Sequence, residues 1–347
     1  MRQKLNFFYC EQKMAMIYCT ENSTILMKNN RIFVYRIPHN SDNPITDKKP
    51  FMELSVPGMQ EIYPGGDHFF LKISGDFYYH FGADNNGQLG TGDKKNFVNF
   101  EFNLNVTNLK PKKIACGASF TAVLTKSGDV FFSGNNEFGQ LGINSTTDLF
   151  EFKKNNFFNS TVKDIACISF GCIYVEISGI YYSGHMSDTK NDNGYSCYPK
   201  IISVGNEKVK IFTGANHFVV MYPNSSKTTL FAIGYDREEL SSYELKVTPE
   251  RIYCYGNFMM LFLQNKCYCW KLNFEKVTNI YFSLATPEGF TETKNYEKSM
   301  VFGIETYRIP ELDNASYITG GLYHMVAVTP GGIIKGGSNL LGQLEFE

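Results

Sequence analysis

The sequence contains no uninterrupted run of about 18 apolar residues, so no segment is expected to cross a membrane as a helix. No secretory leader is expected either: the stretch with Leu5, Phe7, Phe8 and Tyr9 is soon followed by Glu11, Gln12 and Lys13, which cut it short. Charge is sparse, at 19% of residues, and the formal net charge is -1. Basic residues fall in scattered pairs such as Lys48-Lys49, Lys94-Lys95 and Lys153-Lys154, with one denser cluster at Lys110-Pro111-Lys112-Lys113. Nucleic-acid binding draws most of its affinity from neutralised phosphates, and without a basic face it is not expected here. The nine cysteines form neither Cys-x-x-Cys nor a Cys/His metal spacing. No Gly-x-Ser-x-Gly, no His-Glu-x-x-His and no separated Ser/His/Asp set occurs, and no Gly-Lys-Ser/Thr follows a glycine-rich stretch. The composition therefore argues against an enzyme and implies no cofactor and no metal.

Aromatic residues are abundant: 22 Tyr and 30 Phe accompany an overall hydrophobic content of 43%. That load favours strands over helices and supplies ample surface for a core. Three stretches repeat one another. Gly82 to Gly90 reads Gly-Ala-Asp-Asn-Asn-Gly-Gln-Leu-Gly, Gly134 to Gly142 reads Gly-Asn-Asn-Glu-Phe-Gly-Gln-Leu-Gly, and Gly337 to Leu344 reads Gly-Ser-Asn-Leu-Leu-Gly-Gln-Leu. Repetition at a period of tens of residues means that one supersecondary unit is stacked on itself.

A second landmark, an Ile followed two residues later by a small or thiol residue, recurs at Ile17, Ile114, Ile165, Ile211 and Ile252, with weaker versions at Ile62, Ile280 and Ile318. Landmarks from Ile17 to Ile252 lie 41 to 52 residues apart, enough for a four-stranded sheet per repeat. After the landmarks come hairpin signatures at Ser23 to Tyr35, Phe69 to Gly82, Phe120 to Gly134, Cys172 to Gly184, Phe218 to Gly234, Phe258 to Trp270 and Met325 to Gly337. The reading is an all-β, seven-bladed β-propeller closed by its N- and C-terminal strands, with eight units, one truncated, as the alternative. A single domain is expected over residues 1–347, with an irregular or inserted stretch near 272–306. The strand-like run Lys4 to Tyr9 is expected to complete the carboxy-terminal blade, because a closed array limits exposed strand edges.

Several repeated residues have structural work to do. In Gly87-Gln88-Leu89-Gly90, Gly139-Gln140-Leu141-Gly142 and Gly342-Gln343-Leu344 the glycines allow tight turns, the glutamines offer amides to the backbone, and the leucines plug the space between sheets. His68, His217 and His324 each stand three residues after a glycine, and Phe120 takes the same place after Gly117, which argues for packing rather than catalysis. Cys19, Cys116, Cys167 and Cys254 recur at one repeat position and read as small buried hydrophobes of a reducing compartment, cytoplasmic or nuclear. Cys267 and Cys269 share one strand face, where a disulfide would be strained. The residues after the strand-ending glycines, Asp84, Asn85, Asn86, Asn135, Asn136, Glu137, Asp236 and Arg237, should cluster on one loop rim, together with His185.

Gly117 to Gly142, with its Ser-Gly-Asp-Val-Phe-Phe-Ser-Gly and Gly-Gln-Leu-Gly, resembles the repeat of the regulator of chromosome condensation family, as do Gly65 to Gly92 and Gly320 to Leu344. The resemblance implies a seven-bladed propeller. Its founding member is a chromatin-bound exchange factor for the small GTPase Ran, and relatives serve as interaction modules in ubiquitin ligases, ciliary proteins and GTPase regulators. Two functions follow. The first is a monomeric, non-catalytic protein-binding scaffold or adaptor that takes a protein partner, such as a small GTPase or a ubiquitin ligase assembly. The second is guanine-nucleotide exchange on a Ran-like GTPase, and no segment matches that family's exchange wedge residue by residue.

Overall fold

A computed structural model describes residues 15–20, 23–28, 31–35, 52–159, 161–185, 195–205, 208–223, 227–233, 240–245, 248–271, 282–286, 289–293, 297–301, 304–321 and 324–337. These residues form seven antiparallel sheets, the blades of a propeller, with almost no helix. Sheet one contains β1 (Ala15–Cys19), β2 (Thr24–Lys28), β3 (Arg31–Tyr35) and β4 (Met52–Ser55). Sheet two contains β5 (Met59–Pro64), β6 (His68–Ile73), β7 (Phe77–Gly82) and β8 (Phe97–Phe102), and is followed by a short helix, α1 (Leu104–Leu109). Sheet three runs β9 (Pro111–Cys116), β10 (Phe120–Thr125), β11 (Val130–Gly134) and β12 (Leu149–Lys154). Sheet four runs β13 (Asp164–Ile168), β14 (Gly171–Glu176), β15 (Gly179–His185) and β16 (Tyr195–Val204). Sheet five has β17 (Lys210–Thr213), β18 (His217–Met221), β19 (Thr228–Ile233) and β20 (Leu240–Leu245).

The remaining strands are β21 (Arg251–Tyr255), β22 (Phe258–Leu263), β23 (Lys266–Lys271), β24 (Phe282–Thr286), β25 (Gly289–Thr293), β26 (Glu297–Val301), β27 (Ile304–Arg308), β28 (Tyr317–Gly320), β29 (His324–Thr329) and β30 (Gly332–Gly337). Sheet six has the order β21-β22-β23-β27-β26, and sheet seven the order β25-β24-β30-β29-β28. The irregular stretch thus gives one hairpin to each of two sheets. Residues 4–9 lie outside the described residues, and the strand that pairs with β30 is β24, through Phe282 with Gly336 and Ser283 with Lys335.

All seven hairpins read from the sequence are present, each as two interior strands of its sheet. The middle strands are almost wholly apolar because neighbouring sheets cover both of their faces: every residue of β10 is buried, whereas outer β12 has only half-buried and exposed positions. Each fully buried Phe or Leu contributes roughly 2 kcal/mol by its removal from water. The chain forms two compact units. The second spans 57–209 with 232–241 and carries sheets two to four; the first, 1–56, 210–231 and 242–347, carries sheets one, six and seven and the inner strands of sheet five. Within the second unit, β5, β9 and β13 lie side by side. Within the first, β17, β21, β28 and β1 do the same, so the first and last sheets of the chain are neighbours. Tyr317 there donates its hydroxyl to the Ile17 carbonyl at 3.2 Å.

Two of the recurring cysteines are sheet-to-sheet links. Cys116 Sγ donates to the Tyr63 carbonyl at 3.6 Å, and Cys167 Sγ to the Ala115 carbonyl at 3.5 Å, in each case one residue past the Ile landmark of the preceding sheet. Burial pushes the Cys19 and Cys116 thiols up to about 12, so they stay protonated donors. His68 and His324 link sheets too. His68 Nε2 lies 2.9 Å from Thr121 Oγ1, and His324 Nε2 lies 3.0 Å from Thr24 Oγ1. Because Thr121 spends its proton on the Gln88 carbonyl at 2.7 Å, the network assigns the Nε2–H tautomer to His68. Burial lowers the His68 pKa to about 3, so the ring stays neutral. In sheet six Met259 stands at the position of Thr121 and has no hydroxyl to offer.

Candidate functional site

The loops that leave β7 and β11 start from a glycine that no other residue replaces without strain. Gly82 and Gly134 have φ of +107° and +115°, and each interrupts the register with the outer strand as a bulge. The chain then turns through Asp84 to Gly90 and Asn136 to Gly142 with matching hydrogen bonds. Leu89 N donates to Asp84 Oδ1 at 2.7 Å, and Leu141 N to Asn136 Oδ1 at 3.0 Å. Asn86 N donates to Gln88 Oε1 at 3.0 Å, and Phe138 N to Gln140 Oε1 at 2.9 Å. Leu89 and Leu141 are fully buried in the cores beside them. Gly342, Gln343 and Leu344 lie outside the described residues.

Two of the expected rim residues face inward. Asp84 and Asn136 are fully buried, because their side chains close the loop instead of projecting from it. Asp84 Oδ2 accepts from Thr91 Oγ1 at 2.6 Å, while Asn136 Nδ2 donates to the Ser145 carbonyl at 2.7 Å and the Thr147 carbonyl at 3.2 Å. They are corrected from surface contacts to loop braces. Asn85 and Glu137 are exposed, Asn86, Asn135 and His185 are half-buried, and Asp236 and Arg237 lie outside the described residues.

Burial raises the Asp84 carboxyl from the ordinary carboxylate range to about 6, against the pull of its two donors. Between pH 4 and 6 the folded chain then holds a proton that the unfolded chain has lost, so stability falls as pH rises through that window and levels off above it. Asn136 shows that an amide fits the same loop position. Asp84→Asn is therefore expected to remove the fall and to raise stability at pH 7 by about 1 to 2 kcal/mol relative to the difference at pH 4. Urea unfolding at both pH values measures this, and parallel pH profiles for the two proteins would count against it.

The second unit brings together a cluster that the sequence reading missed in part. Phe138, in the variable part of the sheet-three loop, leans across to sheet four, with its ring centroid 5.4 Å from Phe170 and 5.0 Å from His185, both edge to face. His185 N donates to the Phe170 carbonyl at 2.9 Å, and Tyr182 donates its hydroxyl to the His185 carbonyl at 2.8 Å, which fixes the base of the cluster. Phe138 is half-buried and Phe170 is 37% exposed. Their signal in the sequence was faint: a large apolar residue where the matching loop of sheet two has Asn86, and a Phe at a two-residue hairpin turn. Among the described residues no group of three His, Cys, Asp or Glu is placed to hold a metal ion, and no helix is long and apolar enough to cross a membrane.

The regulator of chromosome condensation (RCC1) repeat model matches residues 78–124, and a second model of the same repeat matches 112–140. Together they run through the His68-bonded Thr121, the bulge at Gly134, the first braced loop and the second as far as Gln140. Residues 78–140 of this chain thus match the RCC1 repeat. Among curated RCC1-type relatives, the X-linked retinitis pigmentosa GTPase regulator of Mus musculus is 30% identical over 150 residues, 41% of this chain and 15% of that protein. The probable E3 ubiquitin-protein ligase HERC4 of Homo sapiens is 36% identical over 33% of this chain and 11% of its own length. The secretion-regulating guanine nucleotide exchange factor of Mus musculus is 32% identical over 24% of this chain and 18% of its own length. The matches thus span less than a fifth of these relatives. Among solved structures, Kap60 bound to yeast RCC1 (Prp20) matches 98% of this chain and 85% of that one at 12% identity, with a TM-score of 0.64. Human WBSCR16 matches 71% of each chain at 14% identity, with a TM-score of 0.56. At these identities the structural matches speak to the fold alone.

Proposed function

We propose that this RCC1-repeat chain is a non-catalytic protein-interaction propeller, a scaffold or adaptor whose loops hold a protein partner. The observation that carries this reading is the partly exposed aromatic cluster of Phe138, Phe170 and His185, built from loops of two sheets, with the polar Asn135 and Glu137 just before Phe138 in the chain. Exposed aromatic side chains on rigid strands with a polar surround are what protein interfaces use as anchors. The relatives whose names describe a GTPase regulator and a ubiquitin ligase support a regulatory role for the shared repeats. The second reading, exchange of guanine nucleotide on a Ran-like small GTPase, is supported by the relative named as an exchange factor.

One experiment separates the two. Ran-like GTPases loaded with a fluorescent GDP analogue are mixed with the purified chain, and nucleotide release is followed. Unchanged release, together with partner capture by a photo-crosslinker at Asn85 or Glu137, is the result expected of a scaffold. Accelerated release replaces the scaffold reading with the exchange reading.

A further inference from the structure

We infer that the face made by Phe138, Phe170, His185 and Glu137 is a docking surface for an arginine side chain presented by a partner protein. This rests on the interaction reading above and names the chemistry of its contact. Three observations converge on it. The Phe138 ring contacts those of Phe170 and His185 at 5.4 and 5.0 Å, and all three stay partly in water, so apolar and π surface is available at the rim. Glu137, adjacent to Phe138 in the chain, is exposed, and no ion pair engages it among the described residues.

Among the described residues, the loops at 117–119, 135–148, 169–170 and 185 carry two acids, Glu137 and Asp148, and neither lysine nor arginine. Asp148 is already engaged, with Oδ1 accepting from Asn136 N at 2.8 Å. Among the described residues Glu137 is left as the carboxylate without an ion-pair partner, and a cation is its complement. Burial lowers the His185 pKa, so at neutral pH its ring adds no opposing positive charge.

A guanidinium suits these features better than an ammonium. It is flat, it is weakly hydrated, it stacks on aromatic faces, and it offers two parallel donors to a carboxylate. A purely apolar knob would cover the rings but draw Glu137 out of water without a partner, at a cost. An acidic segment would be repelled.

The test uses the full chain and fluorescently labelled hexapeptides of glycine alternating with arginine, lysine, leucine or glutamate, read by polarisation at low and physiological salt. The arginine peptide is expected to bind at least about fivefold more tightly than the lysine peptide, and the glutamate peptide not to bind. Phe138→Leu, which keeps bulk and removes the ring, and Phe170→Ala are each expected to weaken the arginine peptide about fivefold. Glu137→Gln should weaken it and flatten its salt dependence. Equal binding of arginine and lysine peptides, a preference for the leucine peptide, or indifference to Phe138→Leu in a protein with unchanged circular dichroism would each overturn the inference. Photo-crosslinking separates its failure from that of the interaction reading. Partner capture from a crosslinker at Asn85 but never at Phe138 sinks this site alone, and capture at neither position sinks both.

Discussion

Gly134→Ala is expected to lower the unfolding free energy by about 4 kcal/mol, or to abolish folding, although it adds a single methyl group. Gly134 has φ of +115°, outside the range that L side chains readily adopt, and a Cβ there would stand 2.5 Å from both Phe120 Cα and the Ser119 carbonyl oxygen. Neither atom can withdraw, since the Ser119 carbonyl accepts from Asn135 N at 2.8 Å and Phe120 is buried in the middle of its sheet. Gly82 and Gly184 repeat the arrangement, with φ of +107° and +118° and a Cβ position 2.3 Å from the carbonyl oxygens of Asp67 and Phe170. This is why strand after strand ends in glycine. Gly331→Ala is the control, because a Cβ there meets only Thr329 Oγ1 at 3.8 Å, and it should shift stability by less than about 0.5 kcal/mol. Urea unfolding followed by circular dichroism compares the two, and similar shifts would refute the argument.

Leu141→Ala is expected to cost about 3 to 4 kcal/mol, as much as a truncation inside a strand, even though Leu141 belongs to a loop. Its side chain is fully buried among Phe120, Phe132, Phe158 and Tyr174, so truncation leaves a cavity that rigid aromatic neighbours cannot fill. The backbone bond from Leu141 N to Asn136 Oδ1 survives in the alanine variant, which isolates the packing contribution. Leu104→Ala, at a side chain 58% exposed, should shift the midpoint little. A Leu141→Ala loss near that of Leu104→Ala would show that the loop leucine is not a plug.

Much of the fold was legible in the sequence because its signals are local. Alternating or continuous apolar runs bounded by Gly mark the hairpins, and the Gln88 and Gln140 amides close their loops over a spacing of two residues. The places where the structure departs from expectation are those where distant segments meet. The partner of β30 is β24, from inside the irregular stretch, because a sheet edge accepts whichever strand the chain delivers to it, and no residue in β24 or β30 announces the pairing. Asp84 and Asn136 read as rim residues because polar loop side chains usually face water. Whether such a side chain turns inward depends on where Leu89 N and Leu141 N point once the loop has closed.

For the candidate site the division is the same. His185, Asn135 and Glu137 could be named from their places after the strand-ending glycines, but the two rings that make their surroundings a surface could not. Phe138 and Phe170 are 32 residues apart in the chain and meet only when sheet four packs beside sheet three. By itself the sequence determined the repeating unit and its strand-turn-strand rhythm, since periodicity and glycine placement act over a few residues. Only the tertiary structure decided which polar residues are braces and which face solvent, and which side chains of separate repeats stand together, because burial and contact belong to the packed sheets and not to any one segment.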